Sequence, residues 1–546
     1  MHLGATVKSA AGFALVTLVM AAPLIDYRHL ADASYEGDSR LLIWTLAWDS
    51  RAILTATPLF EANMFHPASG SLAWAEHHVG IALFAMPTYA LTGNPVLAYW
   101  LVWLTAFFLN ALAMQALANR VTGDRVAAFA AGLIYAFCFF RMHHAHGHLQ
   151  LLWTWPLPLM PLALERWAER PSVIHAGIVA TLVLLQALSG WYLAVYVALL
   201  SLVTASVLFS TTRITTAHAI SGALALTISV PILAWFAAPY VRVDPSGTAE
   251  AVRNSADLAA YLVPPENTWL GQWLATHTAL NPRWIWGEQT LYVGATTLAL
   301  AAWGLWTWRH RPGPISTAVL VTGAIALGLS FGPAGGWSPY DLLASLPAMS
   351  LVRAPGRFAL LVMLAAALLV GLAIADLRRR LGRTAPAVLM GLTLLGLSES
   401  YVVRFPGGKP PQVSTPAVYQ ELKGLPAGAV LSLPSYVGTP AAFRESDYLL
   451  FSTDHWRPIA NGAGRQDPPG HLARMEKVSR FPTLDAVRQL CALDVKYVIL
   501  HTGRAPELKR AAQEAAQDPG ITSLGRFGED FLFGVCSRAD QSGPSG

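Results

Sequence analysis

The sequence predicts a polytopic α-helical membrane protein that carries a small soluble α/β domain at its C-terminal end. Of its 546 residues, 54% are hydrophobic and 13% are charged, whereas soluble domains carry about 25% charged residues. The mean hydropathy is +0.43. Long apolar runs recur up to residue 401. A segment rich in proline and glycine follows, and after it short apolar segments alternate with polar ones as in a soluble domain. These observations divide the chain into two predicted domains, 1–401 and 402–546.

The apolar runs of the first domain predict about 11–12 transmembrane helices, because a helix that crosses a bilayer needs roughly 20 mostly apolar residues. The runs cover residues 9–25, 78–92, 96–118, 124–140, 151–165, 173–189, 192–210, 215–236, 289–307, 314–332, 355–376 and 384–401. The run 78–92 decides between the two counts. It is short and contains Pro87, so it either dips into the membrane or crosses it.

Basic residues in the turns between the runs predict the orientation, because cytoplasmic loops carry an excess of Lys and Arg. The strongest cytoplasmic mark is the arginine-rich segment 378–383, and Lys8 places the N-terminus on the same side. We therefore predict a multi-pass protein of the cytoplasmic (inner) membrane with its C-terminal domain outside the cytoplasm. The lipid bilayer is therefore a predicted partner. Since the basic residues report orientation, the net charge of +5 predicts no nucleic-acid partner.

The C-terminal domain shows apolar strands alternating with helices, a pattern typical of an α/β fold. Strands are predicted over 429–435, 495–501 and 529–535, and helices over 415–423, 483–492 and 504–516. Cys491 and Cys536 lie in this domain. Their number and spacing leave two states open, a disulfide in an oxidising compartment or two free thiols.

The loop 26–78 after the first apolar run holds a large share of the few acidic residues. They are Asp26, Asp32, Glu36, Asp38, Asp49, Glu61 and Glu76. From Ser39 onward, leucine and tryptophan side chains predict a short helix that lies at the membrane surface. An acidic loop beside a membrane is the predicted floor of an active site.

Several short motifs resemble those of the GT-C superfamily of integral membrane glycosyltransferases, in particular bacterial relatives with an extracytoplasmic C-terminal domain. They are Glu36-Gly37-Asp38, NMFHPASG (63–70), Ala75-Glu76-His77-His78, SLVRAPGRF (350–358) and DHWRPIANG (454–462). The resemblance implies a GT-C-like helical bundle. It also implies transfer of a sugar from a polyprenyl-phosphate donor to an extracytoplasmic glycan, lipid or protein acceptor, by one inverting displacement.

Such a displacement needs a base, because the acceptor hydroxyl loses its proton as it attacks. The resemblance points to Asp38 as the base, with Glu36 as its substitute or as a metal ligand. In the family the paired acids are adjacent, whereas here Gly37 separates them. The alternative role for Asp38 is an N-cap of the helix that follows, since aspartate is a favoured capping residue.

Two further groups of polar residues are predicted to bind donor or acceptor. Glu76 and His77 precede the run 78–92, where an acid could orient the acceptor or share a divalent cation with Asp38; the alternative is a polar end to an apolar segment. His144, His146 and His148 belong to the densest histidine cluster of the chain. On a helix His144 and His148 share a face, and in an extended chain all three do. The cluster is predicted to contact phosphate or sugar, and the alternatives are metal binding or a histidine-rich interfacial turn without function.

Arginines at the mouth of the run 355–376 are predicted to bind the donor phosphate. Arg353 and Arg357 lie one helical turn apart, and the guanidinium group makes paired charge-assisted bonds with phosphate. The alternative is anchoring in the headgroup layer. Glu288 and Tyr292, at the end of the loop 237–288, are predicted to line the same cavity.

Two other functions fit parts of this pattern. A membrane transporter or flippase would place ionisable residues at mid-span, whereas here they crowd one predicted face. A catalytically inactive GT-C-like factor of envelope glycan assembly would keep the fold, and the split acidic motif keeps this alternative open. The sequence identifies neither the donor sugar nor a required cofactor, apart from the divalent cation considered above.

Overall fold

The computed structural model describes residues 2–242, 248–278, 287–333, 338–344, 346, 349, 352–403 and 408–536. The helices as far as residue 152 are His2–Ala21 (α1), Asp38–Thr55 (α2), Val79–Thr92 (α3), Pro95–Thr122 (α4), Arg125–Ala136 (α5), Phe139–His144 (α6) and Leu149–Leu152 (α7). They continue with Pro156–Glu169 (α8), Val173–Ala187 (α9), Leu193–Phe209 (α10), Thr216–Ala237 (α11), Thr248–Arg253 (α12), Leu258–Leu262 (α13), Trp269–His277 (α14), Ala295–His310 (α15), Pro314–Ser330 (α16), Pro339–Leu343 (α17), Ala359–Leu381 (α18) and Ala385–Ser400 (α19). The C-terminal helices are Ala417–Glu421 (α20), Glu445–Ser452 (α21), His471–Val478 (α22), Leu484–Ala492 (α23) and Leu508–Gln517 (α24).

The chain forms two compact units. The helical unit comprises Met1–Arg28 and Trp100–Pro410, and the mixed unit comprises His29–Tyr99 and Pro411–Gly546. The predicted domain boundary at residue 401 stays a prediction. The structure adds that most of the acidic first loop packs with the C-terminal domain.

The helical unit is built around α18, whose residues 359–375 are apolar on all sides and which packs against α5, α15 and α16. A helix that is apolar all round belongs in an interior. Small residues let its neighbours approach closely. A Cβ atom on Gly304 would lie 2.0 Å from the carbonyl oxygen of Leu369, and one on Gly323 would lie 2.5 Å from the Cβ of Ala365. Close backbone approach at small residues is typical of helix packing in membranes.

Within the described residues, four helical segments are long and apolar enough to cross a membrane, judged by length and composition. They are Pro95–Thr122, Arg125–His144, Thr216–Ala237 and Pro355–Leu381. Shorter apolar helices cover Val7–Ala21, Val79–Thr92, Val173–Ala187, Leu193–Phe209, Pro314–Ser330 and Ala385–Ser400. These helices fit a membrane location, and the predicted count of about 11–12 crossings stays a prediction.

Helix α3 corresponds to the run that decides the crossing count. At about 1.5 Å per residue, its 14 residues extend about 21 Å, which is less than the ~30 Å of a bilayer's hydrocarbon core. Leu83 and Phe84 on this helix are exposed. The length fits a segment that dips into the membrane, and whether α3 crosses stays a prediction.

The C-terminal part of the mixed unit contains a four-stranded sheet in the order β1-β2-β4-β3. The strands are Ala429–Leu433 (β1), Val495–His501 (β2), Thr522–Phe527 (β3) and Asp530–Gly534 (β4). The three predicted strands are confirmed as β1, β2 and β4. The edge strand β3 was not predicted, because its sequence TSLGRF lacks a continuous apolar run and its side chains are largely exposed. Strands β1 and β2 run parallel, and β4 is antiparallel to both its neighbours.

Two of the motifs singled out in the sequence pair with each other in this unit. The backbone N–H of Phe65 donates to the carbonyl of Asn461, and the N–H of His66 donates to that of Ile459, both at 2.9 Å. In return, the N–H of Ile459 donates to the carbonyl of Asn63 at 2.7 Å. The stretch NMFHPASG of the first loop is therefore aligned along DHWRPIANG of the C-terminal domain.

Cys491 and Cys536 form a disulfide. It joins the end of α23 to the residues after β4. Of the two states that the sequence left open, the structure has the bonded one. Disulfides form and persist in oxidising compartments, which agrees with the predicted extracytoplasmic position of this domain.

Candidate active site

Asp38 is the first residue of α2. The N-cap is Gly37, which has a φ of 69°, and no side chain caps this helix end. The capping role considered for Asp38 is therefore not the one it has in the structure. Its side chain is exposed, and a carboxylate in the first turn is stabilised by the positive end of the helix dipole.

A small cavity connects Asp38 with acids of the C-terminal domain. Asp38, Glu445 and Asp467 line this cavity of about 170 Å³. Glu36 is exposed and is not among the lining residues. Of the two acids that the sequence left as alternatives, Asp38 lines this cavity and Glu36 does not, while the role of either acid as the base stays a prediction.

Glu445 is a buried acid that was not singled out in the sequence. Its carboxylate accepts hydrogen bonds from the N–H of Tyr436 at 2.6 Å and from the side-chain amide of Asn461 at 2.9 Å. Burial raises the pKa of Glu445 to about 7, against the hydrogen bonds that act to lower it. A carboxyl group that titrates near neutral pH can hold or release a proton beside the cavity.

The stability of the mixed unit is expected to depend on the protonation of Glu445. Because its pKa rises from 4.5 to about 7 on folding, its contribution is fully present below pH 4.5 and is lost as the pH rises through 7. The full loss corresponds to roughly 3 kcal/mol. In thermal unfolding of the purified proteins, the melting temperature of Glu445→Gln should increase relative to that of wild type as the pH is raised from 4.5 to 8.

The exposed Glu421 provides the matched control, since Glu421→Gln should change the melting temperature equally at both pH values. Burial lowers the pKa of His455 to about 3 and that of His471 to about 4. These two histidines favour stability as the pH rises, but they are present in all three proteins and cancel in the comparison. A pH-independent difference for Glu445→Gln would contradict the assignment.

His77 is held by an acid that the sequence analysis did not select. The Nδ1 atom of His77 lies 2.6 Å from a carboxylate oxygen of Asp49, and both side chains are fully buried. The second oxygen of Asp49 accepts the N–H of His78 at 2.9 Å. This pair fixes the turn that leads into α3. Glu76 is half-buried, and its predicted role in binding stays a prediction.

The histidine cluster of the helical unit forms a helix-like turn, in which α6 ends at His144, residues 145–147 form a turn and α7 begins at Leu149. The N–H of His148 donates to the carbonyl of His144 at 3.0 Å, and the two imidazole rings lie 5.2 Å apart. His146 points elsewhere, since its Nδ1 bonds to the carbonyl oxygen of His143 at 2.7 Å. The structure thus brings His144 and His148 together and separates His146 from their shared face.

Glu288 joins these histidines to Arg357. Its carboxylate accepts two hydrogen bonds from the Arg357 guanidinium, at 2.9 and 2.5 Å, and one oxygen lies 3.9 Å from Nε2 of His144. Burial acts to raise the pKa of Glu288, but Arg357, His144 and His148 together hold it well below its usual range. Glu288 is therefore ionised at neutral pH and forms a largely buried ion pair with Arg357.

His144, His148 and Glu288 can hold a metal ion. One ligand atom from each lies within 4.8 Å of the others, and this is the only such group of three or more residues among those that the structure describes. His144 is buried, and neither of its ring nitrogens makes a hydrogen bond there. A buried polar atom without a bond calls for an explanation such as an ion. Imidazole and carboxylate ligands suit zinc or manganese. The predicted sharing of a cation by Asp38 and Glu76 stays a prediction.

Removing a ligand from this cluster is expected to abolish stoichiometric binding of a divalent cation. Mutation of a residue that only hydrogen-bonds to a metal ligand lowers metal affinity about 10–100-fold. Loss of an imidazole ligand itself should therefore lower the affinity by more than that. Chelator-stripped protein would be reloaded with Mn²⁺ or Zn²⁺ and its metal content measured after gel filtration. His148→Ala should lose the ion, and His146→Ala should keep it. Equal retention by both variants would place the ion elsewhere.

Arg353 and Arg357 line a cavity of about 170 Å³ in the helical unit, together with Glu250, Glu288, Asn254, Tyr192, Tyr196, Val352 and Ala354. Arg353 lies 3.4 Å from Glu250 and is about one-third exposed. Arg357 is more buried, and its fork already engages Glu288. The two arginines therefore line the same cavity, each is paired with an acid, and Arg353 is the more exposed of the two.

Tyr292 does not line this cavity. Its side chain is buried, and its hydroxyl accepts the backbone N–H of Ala295 at the start of α15. The buried carboxylate of Glu399 accepts the next N–H, that of Thr296, at 3.0 Å. Both groups cap orphan donors of a helix end, which gives Tyr292 a structural role in the observed geometry.

Comparison with solved structures shows the class of fold to which this arrangement belongs. The archaeal oligosaccharyltransferase AglB from Archaeoglobus fulgidus, in complex with an inhibitory peptide and a dolichol-phosphate, superposes with a TM-score of 0.51 at 11% identity, over 93% of this chain and 70% of AglB. The arabinofuranosyltransferase AftD from Mycobacteria gives 0.56 at 15% identity, over 98% of this chain and 40% of AftD. ArnT from Cupriavidus metallidurans in the apo state superposes with a TM-score of 0.50 at 13% identity, over 99% of this chain and 100% of ArnT.

The chain therefore has the GT-C fold, and the resemblance stated from the sequence is confirmed at the level of the fold. This chain spans less than half the length of AftD. No family model matches the sequence, and a search of curated proteins gives no match. The identities of 11–15% establish a shared fold, while the reaction of this protein is a matter for the site itself.

Proposed function

We propose that this protein is a membrane glycosyltransferase that moves a sugar from a polyprenyl-phosphate donor to an extracytoplasmic acceptor. The observation that carries the proposal is the position of Asp38 in a chain with the GT-C fold. Asp38 opens a helix, is accessible and lines a cavity. A base for an acceptor hydroxyl needs this combination of access and concave surroundings.

The reaction is a single displacement. Asp38 accepts the proton of the acceptor hydroxyl, the hydroxyl oxygen forms a bond to the anomeric carbon, and the bond from that carbon to the phosphate oxygen breaks. The lipid phosphate leaves with the electron pair of the broken bond. One displacement inverts the configuration of the anomeric carbon. Glu445, with its pKa of about 7, lines the same cavity as Asp38 and can take up the proton afterwards.

The leaving phosphate needs positive charge to offset its own. In the helical unit, the guanidinium of Arg353 is about one-third exposed, and arginine binds phosphate through paired charge-assisted hydrogen bonds, which supports binding of a phosphate group by that unit. A divalent cation held by His144, His148 and Glu288 would supply positive charge within the helical unit when bound. The AglB structure contains a dolichol-phosphate, which supports a lipid-linked donor for this fold.

The proposed reaction takes place outside the cytoplasm of the cell, at the inner membrane. The arginine-rich segment 378–383 and Lys8 support a cytoplasmic position for the N-terminus and for this turn. The disulfide between Cys491 and Cys536 supports an oxidising surrounding for the C-terminal domain. A peptide occupies the AglB structure as an inhibitor, so protein acceptors stay among the alternatives beside glycans and lipids.

The test compares lipid-linked and surface glycans of cells with and without the gene. A glycan that disappears on deletion should return with the wild-type gene and stay absent with Asp38→Asn, provided both proteins reach the membrane in equal amounts. The identity of that glycan names the sugar. If no glycan changes on deletion, the transferase proposal fails. If Asp38→Asn restores the glycan in full, Asp38 is not the base.

A further inference from the structure

A second cavity of the mixed unit has a different lining and a different chemistry from that of Asp38. It has a volume of about 410 Å³ and lies where the end of α2, the segment 57–69 and the turn around Trp456 meet. It shares no lining residue with the Asp38 cavity. Its volume falls within the range of about 300–1,000 Å³ that is typical of small-molecule sites.

Two indole rings form the apolar part of this cleft. The rings of Trp48 and Trp456 lie 5.7 Å apart with an angle of 53° between their planes, and the guanidinium of Arg51 lies 5.4 Å from the Trp456 ring centre. The face of an aromatic ring carries partial negative charge and attracts the partly positive C–H groups of a sugar ring. Trp48 is almost fully buried and packs against Trp456, which is half-buried, so the Trp456 indole is the one that a sugar ring can contact.

The polar part of the cleft suits a neutral, hydroxyl-rich ligand. Arg51 and Glu61 provide one guanidinium and one carboxylate, and His66, Ser69 and Thr57 add an imidazole and two hydroxyl groups. Together they offer both donors and acceptors for hydrogen bonds. Because the formal charges of Arg51 and Glu61 cancel, the lining does not select a phosphate or another anion.

The cleft is held in place before any ligand arrives. The indole N–H of Trp48 donates to the carbonyl of Leu59 at 2.7 Å. The amide of Asn63 bonds to Ser452 and to the carbonyl of Arg457, and His66 Nε2 bonds to the carbonyl of Leu493 at 2.8 Å. Side chains that are already fixed lose little entropy on binding, which favours affinity.

Trp456 itself has an unusual backbone. Its φ is 52°, in the left-handed region that bulky residues rarely adopt. Such a conformation is strained and persists where the surroundings enforce it, often at ligand sites. The side chain of Trp456 forms a hydrogen bond with that of Tyr89. The backbone N–H of Trp456 donates to the carbonyl of Ser452 at 2.7 Å. The local structure therefore presents this indole towards the cleft at a cost in backbone energy.

We propose that the cleft of Trp48, Arg51, Glu61 and Trp456 binds a neutral oligosaccharide segment of the acceptor. The ligand is thus a glycan chain, and the cleft holds sugar units other than the one that receives the transferred sugar. The identity of the ligand as an acceptor rests on the proposed glycosyl transfer, whereas glycan binding by the cleft does not. Binding energy gained away from the reacting atoms helps to position the acceptor hydroxyl.

The test uses full-length protein in nanodiscs on a printed array of neutral and acidic bacterial surface oligosaccharides. Wild type should retain neutral oligosaccharides, and the best of these is then titrated against each variant. Trp456→Ala should bind it about tenfold more weakly, equivalent to about 1.4 kcal/mol. Glu61→Gln should weaken binding severalfold. Because the glutamine keeps an acceptor for the N–H of Gly70, this variant should fold and tests the cleft even if Trp456→Ala is misfolded.

Two further variants separate this inference from the proposed function. Trp269→Ala removes an exposed indole of the helical unit and should bind the oligosaccharide like wild type. Asp38→Asn should also bind it like wild type while it loses transfer. The inference is overturned if wild type retains only acidic oligosaccharides or none, or if Trp456→Ala and Glu61→Gln both bind with wild-type affinity. Glycan binding without any transfer by wild type would instead remove the proposed function alone.

Discussion

The purified Asp38→Asn variant is expected to transfer sugar about 10²–10⁴-fold more slowly than wild type, which is the usual contribution of a positioned general base. The substitution keeps the size of the side chain at the first turn of α2, but an amide cannot accept the proton of the acceptor hydroxyl. The assay would use the donor and acceptor that the glycan profile identifies. Turnover should fall while the affinity for donor lipid stays close to that of wild type.

Glu36→Gln is the matched control for this experiment. It makes the same carboxylate-to-amide change two residues earlier, at an exposed position that does not line the cavity. We expect it to retain activity within a few-fold of wild type. The reverse result, with Glu36→Gln inactive and Asp38→Asn active, would assign the base to the other acid of the split motif and would contradict the geometry described above.

The second large effect is expected on stability, from Asp447→Asn. The carboxylate of Asp447 is almost fully buried and bonds to both Arg40 of α2 and Arg504 of the C-terminal domain. The substitution leaves two guanidinium groups next to each other, and that of Arg40 is 7% exposed. Breaking a buried ion pair by removing one partner costs about 3–5 kcal/mol.

Asp454→Asn makes the same chemical change in a pair at the surface. Asp454 lies 3.5 Å from Lys423, whose side chain is 53% exposed, and such pairs are worth about 0–1 kcal/mol. Thermal unfolding followed by tryptophan fluorescence should therefore show a drop of roughly 10 °C for Asp447→Asn and little change for Asp454→Asn. Similar melting temperatures for the two variants would show that the Arg40–Asp447–Arg504 network does not stabilise the mixed unit.

The features that the sequence predicted well are those that depend on composition and local period. Apolar runs identify helices for a lipid environment, because the bilayer selects for apolar length alone. The strands β1, β2 and β4 are short apolar runs between turn residues, a pattern that indicates buried strands. Asp38 could be singled out because the motif around Gly37 resembles that of a known superfamily. The missed helices Glu445–Ser452 and His471–Val478 are short, and their patterns do not stand out from the surrounding loop.

The residues that the sequence missed are those whose importance comes from burial in the folded chain. Asp49 and Glu445 look like ordinary acids in their local sequence, and only the folded chain shows that each is buried. Arg357 could be predicted to bind phosphate from its place at the mouth of a span, yet its guanidinium is engaged by Glu288. The candidate metal-binding group depends on a turn that brings His144 and His148 together, and on a third residue, Glu288, from a loop 140 residues later.

By itself, the sequence determined that this is a membrane protein with an α/β C-terminal domain and an acidic first loop that contains Asp38. The tertiary structure alone decided that the first loop packs with that C-terminal domain, so that Asn63–His66 align with Ile459–Asn461 and Asp38 shares a cavity with Glu445. The reason is physical. Hydrophobic period and composition act over a few neighbouring residues, whereas charge pairs and cavities depend on distances between side chains, which only the complete fold sets.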